Sequence, residues 1–134
     1  IFPIAARISS GLPGNFHRGN KQKGRGMIDW ARVDELRNEI GEDDFGEVVD
    51  LFLTEVDGVI AILAPGMPGL EEQLHFLKGS ALSLGFADFS SLCASGEVRA
   101  AGGQDISADL ASLLTCYAAS RAHFLSELPG RLAA

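Results

Sequence analysis

No apolar run in this sequence approaches the roughly 18 residues needed to cross a bilayer, which excludes a membrane-spanning helix and predicts a soluble chain. Cysteine is scarce. Cys93 and Cys116 are too far apart for the close spacing of a zinc site and too few for a secreted disulfide framework. They are read as small hydrophobes in a reducing cytosol, and the protein is expected to be cytoplasmic. The chain also has neither a P-loop nor the glycine-rich loop of a protein kinase, and its 134 residues leave no room for a separate ATP-binding domain. Autonomous ATP-dependent kinase activity is therefore not expected. Alternating apolar and polar stretches long enough for a strand are missing too, so the expected fold is all-α.

Acidic residues are absent from positions 1–26, which hold Arg7, Arg18, Lys21, Lys23 and Arg25. The formal net charge of −7 conceals this asymmetry, because Met27 onward carries six basic residues against all 18 acidic ones, a net of −12. A surface of that sign repels nucleic acid and anionic membranes and suits a protein partner. Residues 1–26 include Gly11, Gly14, Gly19, Gly24 and Gly26 and lack apolar periodicity. They are read as a basic, glycine-rich tail, flexible or a cloning remnant, with a nucleic-acid arm or a processed targeting segment as alternatives. Residues 27–134 are expected to form the folded unit, with Met27 as the natural start.

From Met27 apolar residues recur at spacings of three and four. Trp30, Val33, Leu36 and Ile40 predict a short first helix stopped by Gly41. A second opens at Glu42, Asp43 and Asp44, acids that favour a helix N-terminus through capping and the macrodipole. It carries Val49, Phe52, Val56, Val59 and Leu63 on one face and breaks at Pro65, Gly66, Met67, Pro68 and Gly69. The third, about Leu70 to Leu84, has the stripe Leu70, Leu74, Leu77, Ala81, Leu84 and closes at Gly85. A fourth runs from about Ala87 to Ala101 with Phe89, Leu92, Cys93 and Gly96 inward. The last begins near Asp105 or Ser107, carries Ile106, Leu110, Leu113, Tyr117, Phe124 and Leu128, and is expected to stop at Pro129. Short connections between helices of similar length predict an antiparallel up-and-down four-helix bundle with a short extra N-terminal helix, monomeric because no seam beyond the core stripes is evident.

The third helix carries the chemistry. At 100° per residue His75 lies roughly 140° from the apolar stripe and is predicted to face solvent. Glu72, Lys78 and Gly79 fall three or four positions away, on the same surface. Glycine inside a helix costs on the order of 1 kcal/mol relative to alanine, yet the stripe continues past Gly79. A bare backbone one turn from an exposed imidazole leaves the ring open to another protein. A neutral imidazole nitrogen is a nucleophile at cytosolic pH, and a neighbouring ammonium can stabilise phosphoryl oxygens.

The run His75, Phe76, Leu77, Lys78, Gly79, Ser80, Ala81, Leu82, Ser83, Leu84, Gly85 resembles the signature of the histidine-containing phosphotransfer (HPt) domain family, H-x-L-K-G-S-[SA]-x-x-L-G, at every fixed position. The resemblance extends through Leu92, Cys93 and Glu97, where the family often places an acidic or amide side chain near the histidine. It covers about Trp30 to Leu128 and leaves residues 1–26 aside. It implies a phosphocarrier in a two-component phosphorelay. His75 would accept a phosphoryl group from one receiver-domain aspartate and pass it to another, Lys78 would steady the group, and Gly79 would leave access. Partners would be receiver domains of response regulators and hybrid histidine kinases, and Mg²⁺ would belong to the receiver, with no cofactor in this chain. Glu72, Phe76, Leu82 and Glu97 are the expected partner-binding residues, Phe76 and Leu82 as an apolar rim.

Two other readings compete. An interaction module of the same fold would bind receivers or kinases without transfer. Glu72 to His75 also spells Glu-x-x-His, the helix motif of di-iron carboxylate bundles. That site needs a second such motif, yet His17 lies in the tail and His123 has Ser120 three positions before it.

Overall fold

A computed structural model describes residues 27–133; the expectations for residues 1–26 lie outside the described residues. Five helices follow one another: α1 Trp30–Ile40, α2 Glu42–Ile62, α3 Leu70–Leu84, α4 Ala87–Ala101 and α5 Ser107–Ala133. No strand occurs among the described residues, only an isolated bridge between Ile28 and Phe86. Each helix turns its 3–4 spaced apolar stripe inward, and Leu36, Phe52, Leu74, Leu77, Cys93, Leu113 and Phe124 meet in one fully buried core.

Helix ends obey local chemistry with two departures. Asp29 caps α1 by accepting the Arg32 N–H at 3.2 Å. At α2 the cap is Gly41 with no side-chain hydrogen bond, so Glu42, Asp43 and Asp44 act in the first turn on the macrodipole and not as caps. The second departure is at Pro129, where α5 does not stop but continues to Ala133. Proline removes one helical donor. The helix is held on both sides of it, by Leu128 packed on the core just before the proline and by the Arg131 guanidinium beyond it, 4.1 Å above the Trp30 ring.

The two-residue link between α3 and α4 sets how these helices lie together. Gly85 closes α3 in the left-handed region at φ +92°, and a Cβ there would sit 2.8 Å from the Asp29 carbonyl oxygen. Into the space left by the missing side chain comes the segment before α1. The Asp29 N–H donates to the Gly85 carbonyl at 2.7 Å and the Ala87 N–H to that of Met27 at 2.9 Å. The buried Arg32 side chain donates from Nε to the Ser83 carbonyl at 2.9 Å, placing a cation at the C-terminal end of α3, and pairs with Glu35 at 3.0 Å. On the far side of the core, Tyr117 and Arg121 of α5 both donate to Asp57 of α2, at 2.6 Å and 2.9 Å at closest.

Candidate functional site

His75 projects from the middle of α3 with its side chain 69% exposed. The helix runs unbroken through Gly79 to Leu84, so Gly79 is an interior glycine and not a terminator. A Cβ built on it would meet nothing within 4 Å. Its absence therefore serves nothing inside the chain, and what it keeps clear is the outer surface beside the imidazole.

The neighbouring helix completes the arrangement. Gly96 of α4 is buried, and a Cβ on it would stand 3.6 Å from Leu74, so α3 and α4 approach closely there. The next residue, Glu97, reaches across to α3. One carboxylate oxygen lies 3.0 Å from His75 Nδ1 and the other 3.0 Å from Lys78 Nζ. Partial burial raises the Glu97 carboxyl, but the hydrogen bonds and charges of Lys78 and His75 outweigh it and hold the group below the usual carboxylate range. Glu97 is thus ionised at neutral pH and can only accept, which makes His75 Nδ1 the protonated nitrogen of the neutral ring. Nε2 keeps its lone pair and has no hydrogen-bond partner among the described residues.

Of the residues singled out by sequence, the structure brings His75, Lys78 and Glu97 into one group, joined by the His75–Glu97 hydrogen bond and the Lys78–Glu97 ion pair, with Gly79 beside them. Glu97, which the resemblance placed near the histidine and which was also expected to meet a partner, has its two oxygens 3.0 Å from His75 Nδ1 and from Lys78 Nζ. That was not readable from α3 alone, because the contact spans 22 positions. Glu72 is exposed one turn before His75. The apolar pair divides, with Phe76 half-buried against the core and Leu82 37% exposed, two turns along from His75. Cys93 is fully buried, whereas Cys116 is half-buried, and both are free thiols. Among the described residues no group of three or more His, Cys, Asp or Glu side chains is placed to hold a metal ion, and His123 packs edge-on to Trp30. The paired carboxylate site of a di-iron bundle is not formed by these residues.

The site is thus an exposed histidine on one helix of an all-helical fold, tied through a carboxylate of the next helix to a lysine. The family model for the Hpt domain matches residues 47–132, nearly two thirds of the chain, and the chain belongs to that family. The family implies histidine phosphotransfer in phosphorelays. No curated protein and no solved structure matches the chain.

Proposed function

We propose that this chain carries a phosphoryl group on His75 between the aspartates of partner receiver domains, in the cytoplasm, with Mg²⁺ supplied by the receiver. The observation that carries the reading is the Glu97 carboxylate shared by His75 Nδ1 and Lys78 Nζ. In this mechanism Nε2 attacks the phosphorus of an aspartyl phosphate. The N–P bond forms as the P–O bond to the aspartate breaks, and the aspartate leaves as a carboxylate. The imidazole, already protonated at Nδ1, becomes positively charged, and the Glu97 carboxylate 3.0 Å away stabilises that charge. Lys78 keeps two further N–H donors for the phosphoryl oxygens. Passing the group on reverses these steps. Catalysis is positioning and electrostatics, as expected for a loose phosphoryl-transfer transition state.

The proposal extends to the finer architecture, with α2 to α5 as an antiparallel up-and-down bundle and α1 as the short extra helix in front. It gains support from the two-residue α3–α4 link and from the pairing of Phe89 with Tyr117 and Arg99 with Asp109, which run in opposite chain directions along α4 and α5. Glu72 and Leu82, flanking His75 on the exposed face, are assigned to receiver docking, with Phe76 beneath them.

The test is label transfer from a panel of phosphorylated receivers. The parent chain is expected to gain an acid-labile, alkali-stable phosphoramidate. His75→Gln, which alters only an exposed side chain, is expected to fold and gain none, and Lys78→Ala to react more slowly. Persistent labelling of His75→Gln would overturn the assignment. Receiver binding with no transfer by the parent chain would favour the interaction module instead.

A further inference from the structure

Helix α5 bears two apolar stripes, and only one faces the core. Ile106, just ahead of the helix, with Leu110, Leu113, Tyr117 and Phe124 forms the buried one. The other, apolar but for Thr115, is Ala111, Thr115, Ala118, Ala122, Leu125, Pro129 and Leu132, spaced four and three residues alternately, and all seven are exposed. At 100° per residue these positions fall within an arc of about 100°, centred roughly 120° round the helix from the core stripe. Alternating steps of four and three make the seam that a second helix fills. Other exposed apolar residues, such as Ile62 and Val98, lie on α2 and α4.

We propose that this stripe is a self-association surface, on which a second copy of the chain lays its own α5 antiparallel. Three observations select that occupant. The stripe has no charged residue although 22% of the chain is charged, and Arg121, on its flank, is turned to Asp57. On a chain of net charge −7, an uncharged face is where two copies can meet without like-charge repulsion. The volumes are also self-complementary. The first half of the stripe is small and the second half large, so an antiparallel pair centred beside Ala122, between positions 121 and 122, sets Ala118 against Leu125 and Ala111 against Leu132 of the other copy. A parallel pair would set small against small, leaving gaps. Finally, the face lies on α5 while His75 projects from α3, so the seam uses none of the residues assigned to phosphotransfer.

The seam is about 31 Å long and about one helix, roughly 10 Å, wide. That is short of the ~1,000 Å² of total buried surface that marks a stable interface. The association is accordingly weak and concentration-dependent, and it takes the place of the monomer expected from sequence.

Cross-linking of the full chain is the test. Ala122→Cys sits beside the two-fold axis and is expected to form an intermolecular disulfide under mild oxidation, with the parent chain, Cys93 and Cys116 in place, as control. Ala111→Cys is expected not to, because its two copies would lie roughly 30 Å apart. Linking of both variants would mean a parallel pair, and linking of neither a monomer or a face covered by something else; each overturns the proposal. In sedimentation equilibrium, Ala118→Glu should weaken self-association about tenfold or more. Adding Leu125→Lys, which sets opposite charges across the antiparallel seam, should recover it. No recovery, with helicity unchanged, would also refute this pairing.

Discussion

Removing the Glu97 carboxylate probes the site most directly, because one side chain both selects the His75 tautomer and neutralises Lys78. In Glu97→Ala the ring loses its Nδ1–H acceptor, and the charge it gains in transfer loses a carboxylate 3.0 Å away. A hydrogen bond to a charged group is worth about 1.5–3 kcal/mol when shielded. Here the ring is 69% and the carboxylate 24% exposed, so water competes and about 1–2 kcal/mol is the appropriate scale. Lys78, released from its 3.0 Å pairing, returns part of that by turning fully to the phosphoryl group. The net expectation is a slowing of about tenfold in phosphoryl acceptance, with unfolding free energy changed by less than about 1 kcal/mol. Rapid-quench label transfer from a phosphorylated receiver measures the rate, and nitrogen NMR of the imidazole reports the tautomer. In the parent chain Nδ1 should carry the proton; in the variant the two tautomers should mix. A rate within about twofold of the parent and an unchanged tautomer would refute the reasoning.

The same carboxylate gives the pH dependence. Its folded-state pKa is depressed below the ordinary 4.5, so its contribution to stability is fully present above the unfolded carboxylate range and disappears as pH falls through the lower, folded value. The Nδ1 hydrogen bond should therefore survive acidification through the usual glutamate range and fail only below it, as followed by the imidazole signals.

Gly79→Gln should keep or slightly raise helicity by circular dichroism, by up to about 1 kcal/mol, while slowing transfer, since its side chain has open space inside the chain but stands beside the ring. Gly85→Ala should cost about 2–4 kcal/mol in denaturant unfolding, because φ is +92° and the Asp29 carbonyl lies 2.8 Å from the added carbon. Tyr117→Phe should cost about 1–2 kcal/mol by the same measurement, losing the 2.6 Å bond to Asp57. In native alkylation Cys116 should react before Cys93, whose burial pushes its thiol up to about 12.

The helices were legible because their stripes repeat at three and four and their ends carry glycine: Gly41 and Gly85 stand where α1 and α3 stop. Pro129 misled because its local penalty is real but small beside the contacts of Leu128 and Arg131 beyond the helix. Arg32 gave no sign of burial, since a charged residue on a short helix ordinarily faces water and its acceptor, the Ser83 carbonyl, is 51 positions away. On α5 the two stripes have the same period, and only exposure separates the one in the core from the one outside it.

The site was half legible for the same reason. His75, Lys78 and Gly79 lie within one turn or so of α3, and helical geometry alone groups them. The Glu97 contact depends on the rotation and register of a second helix. That register is set at the α3–α4 link, from which His75 and Glu97 stand at nearly equal rises of about 15 Å. Because Gly85 admits the Asp29 carbonyl where a Cβ would stand, the segment before α1 clamps the link against both helices. A shift of one residue in either helix turns its side chains by 100° and would carry Glu97 away from the imidazole. Gly85, nearly three turns from the chemistry, therefore holds the proton of His75 on Nδ1 by fixing where Glu97 can reach.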